Sequence, residues 1–438
     1  MWAYESVFYQ IYPFGFCGAP EKNDGLTVSR IHKVSDWMDH IKKVGANAIY
    51  FTPLFESDAH GYDTRDYQKI DCRLGTNEDF AILCAELHRQ GIKVVLDGVF
   101  HHVGRGFWAF QDVREHKQNS RWKDWFFLRF DQDSPYHDGF SYECWEGHHD
   151  LVKLNLSNPD VQRHLFESVK SWVEEYDIDG LRLDVAYCLD PAFLEALRKV
   201  CDQIKPGFFL VGEIIHGDYR QVFGPNRCHS CTNYECYKGL YSSMNDQNLF
   251  EIAYSINRQF GHENGGLYQG AHLFSFADNH DVHRLASVLN DPHHIPLVYA
   301  ILFAMPGIPC IYYGSEWGAK GRKENGSDEM VRPCFGDPEE NELFNQIARL
   351  TRIRKESKAL CHGSYRTLYL NNRQFVFERS GNGERIVIAV NSDDRETEFF
   401  VEELSGSAIN LRDGQTQDLH HTIRLAPYGW AYWRMIDK

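Results

Sequence analysis

Four short segments place titratable side chains directly after apolar runs. LDGVFHHVG (96–104) carries Asp97, His101 and His102, and GLRLDVA (180–186) carries Arg182 and Asp184. LVGEI (210–214) carries Glu213, and FADNHD (276–281) carries Asn279, His280 and Asp281. Carboxylates and imidazoles at the end of a buried strand either do acid–base and nucleophilic chemistry or hold a metal. For any one of these acids, a helix cap or a turn is the plain alternative. The set as a whole points to chemistry. The interval from Asp184 to Glu213 fits one strand–helix step, and that from Glu213 to Asp281 fits two. Separate strands therefore converge on one place with three carboxylates and two histidines.

The elements that must position them alternate in type. Apolar runs near residues 7, 47, 94, 180, 209, 232, 272 and 308 read as eight strands. Between them lie amphipathic stretches such as 34–45, 77–91, 158–176 and 191–204. The third opens with Asn158 as a cap and Pro159 in the first turn, a helix start. Strands alternating with helices give a parallel sheet, and eight such units close into a (β/α)8 TIM barrel whose chemistry sits at the strands' C-terminal ends. Residues 103–157 break the rhythm and read as an insertion after the third strand, forming a wall of the cleft. Beyond 356, short β-rich runs separated by Asn-Asn, Gly-Asn-Gly and Asp-Asp turns predict a C-terminal antiparallel β-sandwich. The expected organisation is a barrel over 1–102 and 158–356, the insertion over 103–157 and the β domain over 357–438.

Composition narrows the partners. The chain has 438 residues, 43% hydrophobic and 25% charged, with a formal net charge of −16. Such acidity argues against nucleic acid, whose binding rests on Lys and Arg neutralising phosphates. The N-terminus MWAYESVFYQ shows no cationic segment followed by an apolar run, and no apolar stretch is long enough to span a membrane, so the expectation is a cytoplasmic protein without a membrane partner. Twelve cysteines are then expected to be reduced thiols. Cys228, Cys231 and Cys236, with His229 among them, leave a zinc site open; the lack of a partner CxxC or HxxxH favours free thiols. No cofactor and no metal ligand is assigned.

Taken together, the segments resemble those of glycoside hydrolase family 13, the α-amylase family. GANAIYFTP, DGVFHH, LVKLN, GLRLDVA, LVGEI, FADNHD and GIPCIYYGSE occur in that family's order, over nearly the whole chain. The resemblance implies a retaining glycosidase with Asp184 as nucleophile, Glu213 as acid and then base, and Asp281 as the acid that holds sugar hydroxyls. It places His102 and His280 as hydroxyl ligands, Tyr62 as the aromatic platform under the ring, and Asn279, Asp97 and Arg182 as further site residues. Arg182, two positions before Asp184 on one face of a strand, is expected to keep that acid ionised. Glu213 needs a raised pKa to hold its proton. Tyr187, with Cys188, occupies positions that face the leaving-group sugar in the family.

The chain also departs from the pattern. Many members bind a structural calcium between insertion and barrel; His101 stands where they have asparagine, and Lys153 where they have aspartate. Calcium wants oxygen ligands, so none is expected there, with the Lys153 ammonium pairing with nearby acids instead. LVKLN resembles the version of this segment in neopullulanases, cyclomaltodextrinases and maltogenic amylases, but their N-terminal β domain is not apparent, which favours a monomer. The expected substrates are malto-oligosaccharides or cyclodextrins. The alternatives are transglycosylation, or α-1,6, sucrose or trehalose specificity on the same machinery. A non-catalytic binding barrel is a third, disfavoured because all three acids are present.

Overall fold

In the computed structural model, which describes residues 1–261, 265–324 and 326–436, eight parallel strands form one sheet. They are β1 (Phe8–Ile11), β2 (Ala48–Phe51), β3 (Lys93–Gly98), β4 (Gly180–Leu183), β5 (Phe209–Gly212), β6 (Ser230–Cys231), β7 (Phe274–Phe276) and β8 (Ile308–Tyr312). Their hydrogen-bonded order is β6-β5-β4-β3-β2-β1-β8-β7. A parallel bridge between Thr232 and Phe274 joins the two ends and closes the barrel. All eight lie where the apolar runs were read. The strands are buried on both faces, as expected of a sheet lined by helices outside and packed side chains inside. Phe8 meets Phe274 edge-on inside the barrel at 5.1 Å.

Register brings the site together. Arg182 pairs with Asp97 on one side and Val211 on the other. Leu183 pairs with Gly212, so Asp184 and Glu213 leave their strands side by side. The helices begin where their caps dictate. Asn158 accepts a hydrogen bond from the Asp160 amide and Pro159 opens the helix Pro159–Tyr176. Thr76 and Asp79 form a reciprocal capping box before Asn77–Arg89. The stretch 34–45, expected as one helix, is two short ones, Lys33–Asp36 and Met38–Lys43. They meet at Trp37, whose indole is fixed edge-on to Phe16 at 4.7 Å.

After β3, a small antiparallel sheet is formed by His102–Gly104, Cys144–Trp145 and His148–Lys153. This stretch, read as an insertion that breaks the strand–helix rhythm, holds one short helix, Trp108–His116. Packing secures that helix: Phe110 lies against Phe126 and Tyr142 at 5.2 and 5.0 Å. At the C-terminus, β9 (Ser364–Leu370), β10 (Gln374–Gly381), β11 (Glu384–Asn391), β12 (Thr397–Asn410), β13 (Thr416–Leu425) and β14 (Trp430–Met435) form one antiparallel sheet, in the order β9-β10-β11-β14-β12-β13. The sheet folds over itself. Tyr369 of β9 therefore stacks on Phe399 of β12 at 4.7 Å, and the layers expected of a sandwich are two parts of one ladder. Arg379 of β10, fully buried, fastens this domain to the barrel by donating to the carbonyls of Ala304 and Leu360.

Candidate active site

Arg182 is the centre of the site. One guanidinium nitrogen donates to Asp97 Oδ1 at 2.9 Å and to Asp184 Oδ1 at 2.7 Å. The other nitrogen lies 2.8 Å from Glu213 Oε1. Three carboxylates from β3, β4 and β5 thus surround one permanent charge. Asp97 also accepts from the Tyr50 hydroxyl at 2.7 Å, so both its oxygens are occupied and it buttresses Arg182 from below.

These groups cannot all ionise against one cation in a buried site. Burial pushes Glu213 up to about 8, with the charges of Asp184 and Asp281 adding to the effect and Arg182 opposing it. Burial likewise raises Asp97 to about 7. Asp184 is also raised by burial, against the pull of Arg182. Arg182, expected to keep Asp184 ionised, does oppose this shift, and loss of water is the larger effect.

Glu213 Oε2 accepts from the Val185 amide at 2.9 Å. Val185 has φ 39° and ψ 45°, a left-handed conformation that is costly for a β-branched residue. The strain turns the chain sharply after Asp184 and directs that N–H at Glu213. The following turn, Ala186–Cys188, carries Tyr187, half-buried, with its ring 6.1 Å from that of His216.

The loop after β7 supplies the other half. Asp281 is the accessible acid, with its side chain 32% exposed, against 6% for Asp184 and Glu213. Its Oδ2 lies 3.0 Å from His280 Nε2 and its Oδ1 2.8 Å from Arg332 Nη2. Burial works against its ionisation, but His280 and Arg332 outweigh it and hold the carboxyl below its usual range. Gln10 Nε2 donates to His280 Nδ1 at 2.7 Å, which leaves the imidazole proton on Nε2, facing Asp281 and the Tyr62 hydroxyl. The Tyr62 and His280 rings are nearly parallel at 5.9 Å. Asn279 turns inward: its carbonyl accepts from the Asp281 amide at 2.8 Å and its amide donates to Tyr234. Opposite, His102 Nε2 is buried without a partner, 3.8 Å from Asp184 Oδ2. Burial, then neighbouring imidazoles, pull His102 well down, so it is neutral.

The site is thus an arginine-bridged acid pair with a third acid on the loop after β7. Residues 10–337 match the family described as Alpha amylase, catalytic domain. The chain belongs to the α-amylase family. Among its α-amylase-family relatives, a cyclomaltodextrinase from Thermoanaerobacter pseudethanolicus is 31% identical over 97% of this chain and 77% of its own. An intracellular maltogenic amylase from Bacillus subtilis is 32% identical over 82% of this chain and 63% of its own. Among solved structures, the cyclic α-maltosyl-(1→6)-maltose hydrolase from Arthrobacter globiformis, in complex with that cyclic sugar, superposes with a TM-score of 0.84 at 28% identity, covering 99% of each chain. These are glycoside hydrolases of the α-glucan type.

The two positions where this α-amylase-family chain departs from the calcium pattern hold an imidazole and an ammonium. Lys153 Nζ pairs with Glu143 Oε2 at 2.8 Å. His101 is drawn down to about 4 by burial and by Lys153, so it is uncharged at neutral pH. Neither group suits a hard cation. Among the described residues, the three potential metal ligands that cluster are Glu56, Asp71 and Cys72. There Arg73 already occupies Asp71 and Lys69 approaches Glu56. Cys228, Cys231 and Cys236 are buried free thiols, and His229 Nδ1 is taken by the Leu210 amide.

Sequence reasoning missed several site residues. Gln10 had a usable signal, a polar residue inside the apolar strand FYQI. Tyr50 looked like ordinary core. Arg332 had none, since it lies in an aperiodic loop. It is held there by stacking on Tyr12 at 4.6 Å and by the closeness of Gly15, where a Cβ would fall 1.9 Å from the Arg332 carbonyl oxygen.

Proposed function

We propose that this chain is a retaining α-glucan hydrolase that cleaves α-1,4 bonds of malto-oligosaccharides or cyclodextrins. The observation that supports it most is the placing of Asp184 and Glu213 on opposite nitrogens of Arg182, with Glu213 pushed to about 8. At neutral pH Glu213 keeps its proton and Asp184, the acid with the direct 2.7 Å charge-assisted bond, carries the negative charge. The Asp184 carboxylate attacks the anomeric carbon while Glu213 protonates the departing glycosidic oxygen, giving a glycosyl ester. Glu213, now a carboxylate, takes a proton from water, whose oxygen attacks the same carbon and frees Asp184. Asp281 and His280 hold adjacent hydroxyls, the unpartnered His102 nitrogen takes another, and Tyr62 lies under the ring. Tyr187 borders the leaving-group side.

A second reading, action on α-1,6-linked oligosaccharides, is favoured by the 99% mutual coverage with the cyclic α-maltosyl-(1→6)-maltose hydrolase. The name of the Bacillus relative supports an intracellular site of action. No helix among the described residues is long and apolar enough to cross a membrane. Product analysis on maltotriose, β-cyclodextrin, pullulan, isomaltose and sucrose, with the released anomer followed by NMR, tests the proposal. α-Configured products from maltotriose or β-cyclodextrin are expected; inverted products, or turnover of sucrose alone, would overturn it.

A further inference from the structure

The chemistry of the site leaves one reactive side chain beside it unused. Every cysteine is a free thiol and most are buried; Cys188 and Cys334 are the exposed ones. Cys334 stands two positions beyond Arg332, which donates to the His280 carbonyl at 3.0 Å and lies 2.8 Å from Asp281 Oδ1. Among the described residues it is also the cysteine whose sulfur accepts from a lysine. Lys33 Nζ donates to Cys334 Sγ at 3.2 Å.

Both partners are held in place. Lys33 opens the helix Lys33–Asp36, and its Nζ also donates to the Phe335 carbonyl and lies 5.3 Å from the Phe16 ring. Cys334 Sγ donates to the Phe16 carbonyl at 3.5 Å. Gly18 leaves the sulfur room, since a Cβ there would fall 3.1 Å from it. An amine and a thiol are thus fixed almost in contact, at a point open to dissolved oxidants, where a cysteine sulfur is oxidised most readily. The competing product is a disulfide with Cys17. That thiol is buried, and loss of water pushes it up to about 12 against the pull of Lys33. It therefore offers almost none of the thiolate that thiol coupling needs at neutral pH. Lys33 is the better-placed partner, and the gap between nitrogen and sulfur suits a single bridging atom.

We propose that Lys33 and Cys334 are a modification site, joined by dioxygen into a covalent N–O–S bridge that fastens the Arg332 segment to the helix Lys33–Asp36. The S–H bond, one N–H bond of the neutral amine and the bond of dioxygen break, and Nζ–O and O–Sγ bonds form. Sulfur and nitrogen each give up two electrons, and the second oxygen leaves as water with the two hydrogens. The inference does not depend on the sugar reading of the site. Incubation of the reduced chain in oxygen-saturated buffer, followed by proteolysis and mass spectrometry, tests it. The expected product is a peptide pair linked through Lys33 and Cys334, heavier than its parts by one oxygen less two hydrogens. It should be absent under nitrogen and released by dithiothreitol. Cys17→Ser should keep the link, and Lys33→Arg and Cys334→Ser should each abolish it. The bridged wild-type chain should melt at a higher Tm than the reduced one, a shift missing from Cys334→Ser. A Cys17–Cys334 disulfide, which lacks the added oxygen, overturns the inference. So does sulfinic acid formed at Cys334 equally in wild type and Lys33→Arg, or a chain that stays unmodified. A bridge that leaves Tm unmoved overturns the fastening role.

Discussion

Arg182 Nη2 lies 2.8 Å from Glu213 Oε1, yet burial pushes Glu213 up to about 8. An adjacent cation ordinarily lowers a carboxyl. Here the same guanidinium also serves Asp184 and Asp97, and all of these side chains are buried, so the positive charge is shared and desolvation dominates. In the function proposed above, this division leaves Glu213 to donate the proton and Asp184 to act as nucleophile.

Replacing either member should therefore stop turnover without unfolding the chain. Glu213→Gln is expected to lower kcat on maltotriose by roughly 10²–10⁴-fold, the usual worth of a general acid, and Asp184→Asn by at least as much. Circular dichroism should remain native. Near-normal activity in Asp184→Asn would remove the nucleophile assignment.

The pH profile follows from the same groups. Glu213 must be protonated in the first step, so kcat/KM should fall on the alkaline side with an apparent pKa near 8. Asp184 must be ionised, and burial raises it, so the acid limb should lie above the ordinary aspartate range. A profile flat from pH 7 to 9.5 would contradict this.

Stability should carry the opposite sign from a surface carboxylate. The folded pKa of Glu213 is raised above its unfolded value, so the neutral form is favoured in the fold. Its contribution is full below the unfolded pKa near 4.5 and is lost as pH rises through about 8. Glu213→Gln, which cannot ionise, should gain Tm relative to wild type at pH 9 and much less at pH 5. Equal Tm differences at the two values would count against the buried proton.

Arg332 should matter through Asp281. Its guanidinium, 2.8 Å from Asp281 Oδ1, helps hold that acid ionised. Arg332→Ala should raise KM for maltotriose and shift the acid limb upward, and Arg332→Lys should recover part of both. A change in kcat alone, with an unmoved pH profile, would place Arg332 outside this role.

Chelation tests the Lys153 and His101 substitutions. With an ammonium paired to Glu143 and a neutral imidazole at the positions concerned, EDTA should leave activity and Tm unchanged. A marked loss restored by calcium would refute it.

Much of the architecture was legible in the sequence. The eight apolar runs, the Asn158–Pro159 helix start and the turn-separated C-terminal strands are local signals, and strands and caps answer to local rules. The insertion helix Trp108–His116 was not legible, because its stability comes from rings brought in from distant segments. The break at Trp37 has the same cause.

The sequence by itself determined which strands end in acids and histidines, because each lies in or within a few residues of an apolar run. Only the tertiary structure decided which partners those groups meet. Barrel closure sets Gln10 against His280, 270 positions away, and loop packing sets Arg332 against Asp281. It also decided that Asn279 faces inward and that Val185 is strained toward Glu213. Charge sharing and desolvation depend on distances through space, and no local periodicity encodes them.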